Sequence, residues 1–134
     1  MSQIALIIFT AMVTFYITRL MYVMKMYKDD YWILEYAVLE DPASWYCWHM
    51  RAMKRYEAQS VHEALCMWVM AHMISPQEFK LIFNIASVLN TIGRNKEARA
   101  YLAEAEKYVI KGQEESSRKI IKDAKNGKWC IVTH

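Results

Sequence analysis

WYCWHMRAMKRYEAQSVHEALCMWVMAHMISPQE (Trp45–Glu78) and FKLIFNIASVLNTIGRNKEARAYLAEAEKYVIKG (Phe79–Gly112) carry one pattern twice, offset by 34 residues. Trp48, Ala52, Ala64, Trp68, Ala71 and Pro76 mark the first copy. Ile82, Ala86, Ala98, Leu102 and Ala105 stand at corresponding sites in the second, with Gly93 at its turn. Small residues at helical spacing in two successive apolar runs predict αα-hairpins whose rods approach closely. A stack of such hairpins is an all-α arrangement.

Working outward, Ser44 is a good N-cap for a helix over 45–58, followed by one over 61–74. In the second copy we expect helices over 77–92 and 96–110 around a Gly93–Arg94–Asn95 turn. Residues 114–125 place acids first and bases last, as the helix dipole prefers, and so predict a polar closing helix. Together with the tail they form a unit 113–134, in which Trp129–Val132 is an apolar, strand-like patch. Upstream, Asp29–Glu40 reads as a helix. Ala37 and Pro42 stand 34 residues before Ala71 and Pro76, and Leu34 stands 34 before Trp68. The repeat region is therefore 29–112, divided into a half repeat 29–44 and repeats 45–78 and 79–112.

Residues 1–28 are different. From Ile4 to Met24 the chain is apolar or weakly polar apart from Arg19. As a helix those 21 residues reach roughly 31 Å, about the hydrocarbon thickness of a bilayer. Tyr16, Tyr22 and Tyr27 gather where an aromatic belt would lie. We expect a transmembrane anchor, the alternative being a helix buried in protein. The segment lacks a basic n-region and a small-residue cleavage site, which argues against a removed signal peptide. Arg19, Lys25 and Lys28 follow the apolar core, so the positive-inside rule puts the repeats on the cytoplasmic side.

The spacing and residue types of 45–112 resemble the tetratricopeptide repeat (TPR) family, with about two and a half repeats. The resemblance implies a short solenoid with a concave groove lined by the first helix of each hairpin. By that frame Tyr46, His49, Met53, Tyr56 and Glu57 line it in repeat one. Lys80, Phe83, Ser87, Asn90 and Thr91 line it in repeat two. Such a surface suits an apolar helix or peptide from a partner, and the chain's own anchor helix or tail is the alternative occupant. Some family members clamp a peptide carboxylate with Lys and Asn. Asn84 stands at one such site with Lys80 nearby, but repeat one has Tyr46, His49 and Met50 instead. The clamp is incomplete, and we expect Asn84 to bond backbone within its own repeat.

Composition narrows the rest. Of 134 residues, 55% are hydrophobic, with ten Met, nine Tyr and five Trp, more than a short solenoid buries alone. Trp32, Trp45, Trp48 and Trp68 include at least one ring that should meet a partner. A net charge of +3, without a basic stripe, argues against nucleic acid. Cys47, Cys66 and Cys130 form no CxxC pair and read as free thiols. Cys47-x-His49 and His62-x-x-x-Cys66 sit on helices that do not converge, so we expect no metal and read the cysteines as packing residues. No phosphate loop or nucleophile elbow is present, so neither an enzyme nor a cofactor is expected. The expected function is association: an accessory or assembly subunit of a membrane complex, touching lipid and integral membrane proteins. The alternatives are a soluble adaptor whose first helix docks into a partner, or a regulatory piece resembling the TPR modules of membrane glycosyltransferases.

Overall fold

The computed structural model describes residues 3–27 and 30–133, and the side chains outside 25–32. Residues 28 and 29 and the side chains of Lys25, Tyr27 and Trp32, used above, lie outside that description. Among the described residues there are seven α-helices: α1 Gln3–Tyr27, α2 Asp30–Glu40, α3 Trp45–Glu57, α4 Val61–Ile74, α5 Phe79–Thr91, α6 Asn95–Ala105 and α7 Glu114–Lys125. A 3₁₀ turn, Glu106–Tyr108, follows α6, and no strand occurs among the described residues. The chain divides into two compact units, residues 1–36 and 37–134.

In the first unit, α1 is apolar on all sides. Ile4, Ile7, Phe9, Phe15 and Tyr16 are each more than 60% exposed. The Thr10 hydroxyl donates to the Leu6 carbonyl at 3.0 Å, Thr14 donates to Thr10 at 2.7 Å, and Thr18 donates to Thr14. These three polar side chains are thus satisfied by the helix itself, which removes the cost of placing them in an apolar medium.

The second unit is built from two hairpins. α3 pairs with α4, α5 pairs with α6, and α4 packs on α5. Ala52, Ala64, Ala71, Ala86, Ala98 and Ala105 have no exposed surface, because each lets a neighbouring rod come close. Trp68 is fully buried and fills the first hairpin. Every residue from Leu81 to Leu89 is buried, so α5 is the central helix of this unit. Ile121 and Ala124 of α7 close its far side against Leu102 and Ala105.

Gly93 has φ +85°, and the Arg94 N–H reaches back to the Leu89 carbonyl at 2.8 Å. That six-to-one bond ends α5 in the left-handed manner usual for glycine. Gln59 does the same for α3 at φ 63°, with Ser60 N–H on the Arg55 carbonyl at 2.9 Å. Gly127 repeats it after α7 at φ +85°, with Lys128 N–H on Asp123 at 2.8 Å. Positions 59, 93 and 127 stand 34 residues apart. α7 therefore ends in the register of a third opening helix, beyond its expected role as a closing cap.

Four expectations need correction. α5 starts at Phe79, not Gln77: Ser75 and Pro76 enter a turn in which Glu78 N–H meets the Ser75 carbonyl at 3.4 Å. Pro76 biases the residue before it away from the helical region, and the turn takes up the next two. α6 ends at Ala105 because the chain tightens into the 3₁₀ turn. Trp48, which the repeat frame would bury like Trp68, is half-buried against the core. Its indole N–H bonds the Pro42 carbonyl at 2.9 Å, while one flank borders a shallow hollow with His62, Cys66, Met67 and Met70. Cys66 is exposed, so it is not a buried packing residue.

Burial separates the two tryptophans by experiment. Trp68→Ala should cost about 3–5 kcal/mol and Trp48→Ala roughly half as much, read from urea unfolding of the full chain in detergent. At Gly93 an added Cβ meets nothing within 4 Å, so only backbone conformation is at stake. Gly93→Ala should therefore cost about 1 kcal/mol in the same measurement.

Candidate functional site

The inner face of α5 carries polar side chains at a helical interval: Lys80, Asn84, Ser87 and Asn90. Asn84 is fully buried and Ser87 nearly so, which an otherwise apolar helix tolerates only if both are bonded. Their partner is the tail. The turn at Gly127 sends residues 128–133 back, free of helix, along α5. Ser87 Oγ donates to the Cys130 carbonyl at 2.7 Å. Asn84 Nδ2 donates to the Val132 carbonyl at 3.0 Å, and Oδ1 accepts the Val132 N–H at 2.8 Å. Cys130 lies opposite Ser87 and Val132 opposite Asn84, so the tail runs against the direction of α5.

Side chains of the tail complete both apolar clusters. Ile131 packs on the cluster containing Ala52, Trp68 and Leu81, while Val132 joins that of Phe79, Phe83 and Ile121. Trp129 reaches both, its ring 6.3 Å from that of Phe83. Expected intra-repeat bonding of Asn84 is thereby corrected: its amide is spent on a backbone 48 positions away. Of the two occupants weighed for the groove, the tail is the one found there.

At the tail's far end sits His49, only 1% exposed. Its Nδ1 accepts the Trp68 indole N–H at 3.0 Å, which leaves the proton of the neutral ring on Nε2. Nε2 is buried, and the group the tail sets against it is the Thr133 backbone. Burial, reinforced by the Lys80 ammonium, lowers the His49 pKa to about 4, against a smaller opposing effect of the Thr133 backbone. Lys80 itself is half-buried and forms no ion pair among the described residues. The Cys130 thiol is pushed up by burial first and by Asp123 second.

The remaining groove residues named from sequence are dispersed. Phe83 and Ser87 are buried beneath the tail. Tyr46 is 56% exposed and lies edge-on to Trp45. Met53 and Tyr56 pack inward, Tyr56 at 5.9 Å from the Trp68 ring. Asn90 instead borders a cavity of about 430 Å³ with Arg99, Glu106, Lys125 and Trp129. Sequence reading missed Asn84, Trp129 and Val132 as parts of one site. The available signal was the pair Asn84 and Ser87 inside a run of nine apolar or small residues, with an apolar patch left over at 129–132.

Fold and site together define an all-α protein with, among the described residues, one helix long and apolar enough to cross a membrane, Gln3–Met24, and a groove holding its own tail. No family model, curated protein or solved structure matches the chain.

His49 makes stability depend on pH in a definite direction. Its folded pKa lies below the unfolded value, so the unfolded chain takes up the proton first. Stability from the neutral ring is complete above pH ~6.5 and declines as pH falls towards 4. We expect the chain to be about 2 kcal/mol less stable at pH ~5 than at pH ~7 in urea titrations. His49→Gln keeps an acceptor for Trp68 and should flatten that difference.

Proposed function

We propose that this chain is a membrane-anchored, TPR-like scaffold that works by protein association, as an accessory or assembly subunit of a larger membrane complex. The observation that carries the reading is the exposure of α1. Its 22 residues from Gln3 to Met24 have mean hydropathy 1.9 and no burial, a surface that water does not tolerate on this scale. A bilayer satisfies it, and the self-bonded threonines fit that surrounding. The placement of Arg19, Lys25 and Lys28 after the apolar core puts residues 37–134 on the cytoplasmic side in this reading.

Association is supported by α4. Ala64, Trp68 and Ala71 face inward, yet Cys66, Val69, Met70 and Met73 form an exposed stripe on the outer side. Spacing of three and four residues is that of a helix-packing seam. The repeat itself does not require it, since Glu104 and Lys107 stand at the positions matching Met70 and Met73. A helix apolar on both sides is expected to be covered on both.

Alkaline carbonate extraction of membranes from cells expressing the full chain tests the anchor. We expect the protein to stay in the pellet, and recovery in the supernatant would replace the anchor with a helix docked on a soluble partner.

A further inference from the structure

The outer face of α4 carries three donor side chains that neither the core nor the tail uses. His62, Cys66 and Met70 stand four residues apart, so successive members are ~6 Å apart along the axis and ~40° apart around it. All three are exposed, and all three border the hollow of about 380 Å³ beside Trp48. None of them makes a hydrogen bond, ion pair or ring contact among the described residues. Glu63, which borders the same hollow, is taken up by Arg55 at 3.2 Å. The hairpin fold does not ask for this set, since Lys96, Ala100 and Glu104 stand at the matching positions of α6.

Imidazole, thiolate and thioether together are the donors that a soft, singly charged metal ion selects. Zinc and the hard cations have no comparable place, because no three of His, Cys, Asp and Glu come together among the described residues. Met70 is what separates the two cases. Charge points the same way. A thiolate and a monovalent cation cancel, and a neutral site is cheap to hold beside Trp48 and Met67.

We propose that His62, Cys66 and Met70 bind one Cu(I) ion on the outer face of α4, the imidazole and thioether converging from either side over the Cys66 sulfur. On binding, the Cys66 thiol gives its proton to solvent and copper keeps its oxidation state, so no oxidant or reductant takes part. Three ligands and an open side leave the ion within reach of a donor from outside. Such a site holds copper in a form that another thiol can take over.

The full chain in detergent, reduced and free of oxygen, is titrated with Cu(I) against the chromophoric chelator bicinchoninate. One equivalent should be withheld from the chelator, and the absence of a withheld equivalent overturns the proposal. Cys66→Ser should abolish the effect, whereas Cys47→Ser and Cys130→Ser should leave it unchanged. Met70→Leu and His62→Gln should each weaken binding by at least about tenfold, no less than the loss of an outer-shell partner. Undiminished binding in either variant, or equal loss at any cysteine, makes this an adventitious thiol site and ends the proposal. All three positions are exposed, so these changes leave the fold intact, which helix content by circular dichroism checks. A second readout keeps all three ligands in place. With isotope-labelled methionine methyl groups, one equivalent of Ag(I), a soft stand-in for Cu(I), should shift the Met70 signal and leave Met73 in place. An unmoved Met70 signal overturns the site. Every measurement is made in detergent, so failure of the bilayer anchor is recognised separately by extraction.

Discussion

Close approach of helices through alanine is the constraint on which residues 37–134 depend. Ala52, Ala64 and Ala71 in one hairpin, and Ala86, Ala98 and Ala105 in the next, have no exposed surface. Each permits a neighbouring rod to lie nearer than a larger side chain would allow, and dispersion falls away steeply with added separation. With the rods that near, a single large ring, Trp68, suffices to fill the first hairpin, and α4 can reach α5 to join the two. α5 then becomes a helix enclosed on every side, which is unusual for one carrying Asn84 and Ser87.

That enclosure explains the polar chemistry of the groove. An amide in the middle of a buried helix must be paired, and Asn84 is paired twice with the same residue. One consequence is that tail and core are energetically coupled: Ile131 and Val132 finish apolar clusters that the hairpins leave open. His49 takes a comparable position on α3. It gives its acceptor nitrogen to Trp68, so the first hairpin and the end of the groove share one side chain.

Much of the helical framework was legible because it is local. Ser44 caps α3 by accepting the Cys47 N–H, and α4 and α7 occupy the spans that periodicity and charge order indicate. Boundaries near Pro76 and Glu106 were less so, since turn and 3₁₀ geometries compete with the helix within a few tenths of a kcal/mol per residue. Gln59 was invisible for another reason. Glutamine rarely adopts positive φ, and only the shared hairpin geometry forces it to do what Gly93 does freely. The groove's occupant lay furthest from sequence logic, because pairing Asn84 with Val132 spans 48 positions and leaves no periodic trace.

The two-sidedness of α4 has a chemical corollary. Met70 and Met73 are 42% and 71% exposed, whereas the Trp68 face of the same helix is sealed. Peroxide or hypochlorite therefore meets thioethers on the outside first, and each sulfoxide turns a pliant apolar contact into a polar one. Oxidative damage at this helix would make its outer face polar while leaving its inner packing intact, and a reductase acting on the sulfoxides would restore it.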